Sequence, residues 1–320
     1  MGVTANTNET YDVSTIKEDL QDALISISPT DTPVMSAIGR RNVDNTYFEW
    51  GVVSLAAASG SNRVIEGESA PGNDAPTNAV RQGNYTQISD KVVEVSDTAN
   101  AVNGAGDAQT TAKQIAYKLK ELKRDMETML CDNVAGSAGA SGTARASAGL
   151  PAFLRTNASR GTGGADGTTS GSGVSGYVDA AATDGTTRAI TETLLKGVIA
   201  DCWTQGAEPS VVICGPSQKQ TISAFTGNAT RFKEAEDSKL NAAIDVYISD
   251  FGELQIVPSR FSRSRDVLVL DPNYARVAYL KPTSQKPLAR TGHAERRLIS
   301  VEFGLQVDNE AAHGVIADIT

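Results

Sequence analysis

DAQTTAKQIAYKLKELKRDMETMLCDN, residues 107–133, decides how the rest of the chain reads. Ile115, Leu119, Leu122, Met126 and Leu130 recur at steps of four and three residues, which places them on one face of an α-helix. Lys113, Lys118, Lys120, Lys123, Arg124, Asp125 and Glu127 cover the remaining surface. The stretch contains no Gly or Pro. Asp107, following Gly104-Ala105-Gly106, suits an N-cap, because its carboxylate can accept from the free N–H groups of the first turn. At ~1.5 Å per residue the helix spans about 40 Å, which suits either a beam for an elongated molecule or an ordinary helix packed across a mixed sheet.

Around this helix the chain is written in short strands and Gly/Ser loops. Its 320 residues allow about two domains and a sizeable core. With 29 basic against 38 acidic residues the net charge is -9, which argues against a protein that coats phosphate backbones and favours solubility. Cys131, Cys202 and Cys214 are odd in number and form no CxxC pair, so buried free thiols in a reducing compartment are expected. Residues 1–10 lack the apolar core of a signal peptide, and Asn6 stands where a myristoylation signal wants Ser or Thr. No apolar run is long enough to span a bilayer, so no membrane partner is expected.

The first ~45 residues read as an arm, helical over 14–27 and broken at Ser28-Pro29-Thr30-Asp31-Thr32-Pro33. Residues 47–55 and 86–97 read as strands. Between them, residues 56–79 form a long excursion rich in Gly, Asn, Pro and acids. Together these make an extended two-stranded flap with too little apolar surface to stand alone. After the helix, residues 136–184 are dominated by Gly, Ser, Ala and Thr around one apolar island, Leu150-Pro151-Ala152-Phe153-Leu154, and read as a long functional or mobile loop.

A helix–strand–helix unit follows (187–205, 210–215 and 216–225), then hairpins turning at Phe251-Gly252 and at Asp271-Pro272-Asn273. Ile299, Val301, Phe303, Leu305 and Val307 alternate with Ser300, Glu302 and Gln306, which predicts a long strand with one buried and one wet face.

Catalytic signatures are missing. The two histidines, His293 and His313, sit in unlike contexts, with His313 in a turn, and neither has partners at metal-ligand spacing. No nucleophile elbow, phosphate-binding loop or zinc-protease motif occurs, so neither catalysis, cofactor nor metal is expected. Arg260, Arg263 and Arg265 in one loop suit either a phosphate or acidic neighbours on another subunit.

The order of parts (arm, flap, long helix, helix–strand unit, long terminal strand) resembles that of tailed-bacteriophage major capsid proteins with the HK-ninety-seven-type fold. The strings that carry the resemblance are SPTDTP (28–33), TGNATR (226–231), DVYISDFG (245–252), VLDP (269–272) and RTG (290–292), in that order. It implies an α+β chain divided into an N-terminal arm (1–46), an extended β flap (47–99) and a spine helix of the peripheral domain (100–135). A Gly/Ser-rich insertion (136–186), an axial α/β domain (187–260) and peripheral-domain strands (261–320) would complete it.

It also implies a function: self-assembly into the hexamers and pentamers of an icosahedral head shell around double-stranded DNA, built in the host cytoplasm. Portal and scaffold or cement proteins would be partners, and DNA would be held without sequence-specific contacts. The arm would reach onto neighbouring subunits, and shell expansion would move the flap and bend the spine. Glu66, Glu68 and Asp74 of the flap would face Lys118, Lys120, Lys123 and Arg124 of a neighbouring spine, and Thr226, Gly227, Asn228 and Arg231 would lie in the axis loop. A tail-tube or other virion ring protein, and an encapsulin-like cargo shell, are the alternatives.

Overall fold

The computed structural model describes residues 28–69, 74–102, 111–171, 175–225 and 246–320. The expected helix over 14–27, the Asp107 cap and the axis-loop residues Thr226, Gly227, Asn228 and Arg231 lie outside them. The described residues open with α1 (Pro33–Ala37), β1 (Gly39–Asn42), β2 (Tyr47–Val52), β3 (Val80–Tyr85), β4 (Gln87–Ser96), α2 (Asp97–Ala101) and α3 (Thr111–Cys131). Next come α4 (Leu150–Phe153), β5 (Ala158–Ser159), β6 (Thr168–Thr169), β7 (Val178–Ala180), α5 (Glu192–Thr204), β8 (Val211–Cys214) and α6 (Pro216–Ser223). The chain closes with β9 (Val246–Ser249), β10 (Gly252–Pro258), β11 (Val267–Leu270), β12 (Ala275–Pro287), β13 (Ala294–Val307) and β14 (Gly314–Ile316).

Two sheets organise these elements. The first has strand order β1-β12-β13-β4 and carries α3 on one face. Leu122, Met126 and Leu130 of the helix are buried there and Ile115 and Leu119 half-buried, as their spacing requires. Burying a side chain of this kind contributes ~1.5–3 kcal/mol. Across the interface β13 presents Ile299, Val301, Phe303, Leu305 and Val307, all fully buried, and β4 presents Val93 and Val95. The described helix has 21 residues, about 30 Å, and β13 with 14 residues is longer still at about 45 Å.

The second sheet has order β5-β14-β11-β8-β10-β9, with α5 and α6 packed on one face. Ile213, Leu268, Leu270 and Val315 point the other way and join the core of the first sheet, so one continuous hydrophobic core ties both sheets together.

Several sequence expectations need correcting. The strand over 47–55 pairs not with the strand over 86–97 but with Val80–Tyr85, while β4 pairs along its length with β13. Asp271-Pro272-Asn273 is not a hairpin turn: it forms a 3-10 turn that carries the chain from β11 in one sheet to β12 in the other. The outward face of β13 is not wet, since Glu302 and Gln306 are buried. Glu302 bonds Arg145 of the insertion and Lys281 of β12 and accepts from Thr86. Burial pushes its pKa up, but these partners outweigh it and hold the carboxyl below the usual glutamate value.

Glu127 is not a surface residue of the helix. It is fully buried, and its two carboxylate oxygens accept from the backbone N–H groups of Val34 (2.7 Å) and Met35 (2.9 Å). Those are free donors of the first turn of α1, so the spine caps the first described helix.

The Gly/Ser-rich stretch after α3 is folded onto the core. Ala148, Leu150, Ala152, Phe153 and Leu154 are fully buried, and short antiparallel pairings fix the chain on either side.

Candidate assembly surfaces

The flap leaves the body through a rigid base. Gly83 of β3 lies under the Tyr47 ring, where an added Cβ would come within 2.6 Å of the hydroxyl and push the ring aside. Tyr47 and Tyr177 pack against Tyr85 with ring centroids at 4.8 and 4.9 Å. Next to Gly83, the fully buried Asn84 donates to Leu305 O (2.7 Å) and Ser147 Oγ (3.1 Å) and accepts from Ala148 N (3.0 Å) and Tyr85 N (2.9 Å). One side chain thus fastens the flap base to the insertion and to β13. Sequence reading left residues 80–85 unassigned, because Val-Arg-Gln-Gly-Asn-Tyr shows no apolar alternation.

Beyond the base nothing is buried. Every described residue of 53–79 is exposed, including Val53, Leu55, Val64 and Ile65. Glu66, Glu68 and Asp74 are exposed here, and Glu68 accepts only from the Ile65 N–H, 3.2 Å away. Among the described residues none of the three has an ion-pair partner. A segment this long with apolar side chains in water marks an interaction surface.

The basic side chains of the spine divide into two groups. Lys118 is engaged by Glu121 at 2.8 Å, and the Arg124 guanidinium lies 5.6 Å from the centre of the Phe261 ring. Lys120 and Lys123 are exposed and carry no ion pair among the described residues. Within one chain the flap acids and the spine lysines are not brought together.

The arginine loop is satisfied internally. Arg263 bonds Asp184 (2.6 Å) and Asp266 (2.8 Å), and Arg265 bonds Asp318 (2.8 Å) and the Gly185 carbonyl (2.6 Å). Both are thus paired within their own chain, whereas Arg260 is exposed. Asp318 also accepts from the N–H groups of Gly161 and Gly185. Burial pushes its pKa up, and these donors together with Arg265 more than reverse the effect, leaving the carboxyl below its ordinary value.

His313 is fully buried in a structural role. Its Nδ1 accepts from the Asp271 N–H (3.3 Å) and its Nε2 faces the Tyr274 carbonyl (3.4 Å), bracing the 3-10 turn between the sheets. Desolvation holds its pKa below the ordinary imidazole value. The cysteines are free and buried, with burial pushing the Cys202 thiol up to about 12 and the Cys214 thiol to about 11. Among the described residues no His, Cys, Asp and Glu side chains converge as a metal site would, and no described helix is long and apolar enough to cross a membrane.

A family profile described as SU10 major capsid protein matches residues 3–320. The chain belongs to the SU10 major capsid protein family. Over 121 residues it is 39% identical to the major capsid protein of Escherichia phage Phieco32, a stretch covering 38% of this chain and 34% of that protein's length. Similar solved structures include the capsid of cyanophage A-1(L) (TM-score 0.67, 13% identity, 98% of each chain). The capsid of cyanophage P-SCSP1u is another (TM-score 0.64, 11% identity, 100% of this chain and 97% of that one). The holo-SrpI encapsulin complex of Synechococcus elongatus PCC 7942 is more distant (TM-score 0.56, 12% identity, 98% and 96%). At these identities the likenesses speak to the fold, which is the HK-ninety-seven type expected from the order of parts. Among the described residues the exposed flap and Lys120 and Lys123 of the spine are charged surfaces left without an ion-pair partner.

Proposed function

We propose that the chain is the repeating unit of an icosahedral phage head, forming hexamers and pentamers around packaged double-stranded DNA. Portal and scaffold or cement proteins are further partners, and assembly takes place in the host cytoplasm. Residues 1–46 serve as the arm, 47–99 as the flap, 100–135 as the spine, 136–186 as an insertion, 187–260 as the axial unit and 261–320 as peripheral strands. The flap lies across a neighbouring subunit, with Glu66, Glu68 and Asp74 facing Lys120 and Lys123 of that subunit's spine. Lys118 and Arg124 stand at the edge of the contact, already engaged within their own chain. In expansion of the shell the flap swings about its base and the spine bends.

The observation that carries this reading is the contrast at Tyr47, Gly83 and Asn84: a tightly fixed base bearing a long excursion with nothing beneath it. Exposed ion pairs contribute at most ~1 kcal/mol each, but a closed shell repeats them in every subunit. Electron microscopy of the purified, concentrated protein should show closed shells. The triple reversal E66K/E68K/D74K should abolish or destabilise them while leaving the isolated subunit folded. Normal shells from that variant would sink the charge-pairing scheme, and tubes from the parent chain would favour a tail-tube protein. Protein rather than DNA inside the shells would favour an encapsulin-like compartment, to which the SrpI complex is similar in fold.

A further inference from the structure

The inward face of the flap base carries two polar side chains that the rest of the chain leaves unmet. β2 and β3 pair antiparallel, with Phe48 opposite Asn84 and Trp50 opposite Gln82. Residues directly opposite share a face, and all four of these are buried, Gln82 to 1% and Trp50 to 8% exposure. Asn84 is bonded through both its amide nitrogen and its oxygen. Gln82 Nε2, Gln82 Oε1 and Trp50 Nε1 have no hydrogen-bond partner among the described residues, although all three atoms are closed off from the surface.

The surroundings explain why no protein group answers them. The Trp50 indole packs against Phe48 and Phe153, with ring centroids at 5.9 and 6.3 Å, and neither ring offers an acceptor in its plane. The backbone on either side of Gln82 is already committed. β2 takes one edge of β3, and along the other the insertion's Gly176 accepts from the Gly83 N–H (2.8 Å) and donates to the Arg81 carbonyl (2.9 Å). An amide and an indole N–H that are buried without a bond are both costly. Opposed side chains in an antiparallel pair start from Cβ atoms ~4.5–5.5 Å apart, so one small molecule able to donate and accept reaches both.

We propose that Trp50 and Gln82 bind an internal water molecule at the flap base. The water accepts from Trp50 Nε1–H and is hydrogen-bonded to the Gln82 amide. Water suits the site because it both donates and accepts and because it is small enough for a closed core. Internal waters characteristically serve buried polar groups that the chain itself leaves unmet. The flap base is then fastened in two ways, by direct bonds at Asn84 and through water one cross-strand pair away. The inference concerns the single subunit and is independent of how the chain assembles.

The exposed Trp203 makes a direct test possible. Trp203→Phe keeps a ring against Phe251 and leaves Trp50 as the one indole of the chain. NMR of that variant as an isolated subunit should show a cross-peak between the Trp50 indole proton and a long-lived water. A resolved indole signal with no water contact overturns the proposal, and would mean that Trp50 bonds Gln82 directly or nothing at all.

A second arm uses Gln82→Met, which keeps the length of the side chain and cannot hold the water. It strands the Trp50 N–H and should raise the subunit's unfolding constant about tenfold or more in urea. Replacing an amide that has no bond to lose is neutral or stabilising, so a variant as stable as the parent, or more stable, overturns the proposal.

Discussion

The flap excursion (53–79) and the insertion (136–184) look alike as sequence, both long and poor in large side chains, yet they end in opposite environments. Among its described residues the flap buries nothing, whereas the insertion threads Leu150, Phe153 and Leu154 into the core with no accessible surface to speak of. The difference lies in what the surrounding chain offers. The insertion meets Asn84, Glu310 and Asp318, whose side chains bond backbone groups along it, while beyond its base the flap finds no burying partner among the described residues. Loop-like composition therefore says little about burial; the supply of polar anchors decides it.

The largest break in the comparison should come from Phe153→Ala, which empties a fully buried site and should cost the isolated subunit ~3–5 kcal/mol in urea unfolding. Leu55→Ala in the flap should change stability by no more than about 0.5 kcal/mol. Next is Asn84→Ala. It leaves the buried Ala148 N–H and Leu305 carbonyl unpaired and should cost about 3 kcal/mol, at the upper end for such losses.

Gly149→Ala should cost about 2 kcal/mol, because its Cβ would stand 1.9 Å from the Asp132 carbonyl oxygen. Gly60→Ala, with no atom within 4 Å, should be neutral by the same assay.

The smallest effect is a pH slope confined to the packed body. The His313 pKa is depressed in the folded chain, so below the ordinary value of about 6.5 the unfolded chain takes up a proton that the folded chain refuses. Stability is complete above about pH 6.5 and falls on acidification by ~1.4 kcal/mol per unit until the folded value is reached. In His313→Gln that part of the slope should vanish, as urea midpoints on either side of pH 6.5 would register.

Much of the fold is legible in the sequence. The spacing of Ile115, Leu119, Leu122, Met126 and Leu130 gives the spine its buried face, and the alternation from Ile299 to Val307 gives its partner strand. What escapes reading depends on residues distant in the chain. Glu127 looks like one more surface charge on the spine, yet it is buried because Val34 and Met35, about 90 positions upstream, present free N–H groups to it. The pairing of β2 with β3 rather than β4 escapes for a related reason. Residues 80–85 show no apolar alternation, and the Tyr47 ring and Leu305 that fix Gly83 and Asn84 are distant in the chain.

Among the assembly candidates, charge type was visible but availability was not. Lys118 is taken by Glu121, and Arg263 and Arg265 are taken by Asp184, Asp266 and Asp318.

The central claim is that the flap is completed by a neighbour while the insertion is completed by its own chain. Amide hydrogen exchange, compared between isolated subunits and assembled particles, tests it most directly. Residues 53–69 should exchange freely in the subunit and become protected in the particle, with 146–159 protected in both states. A flap that exchanges as fast in particles as in free subunits would contradict the account.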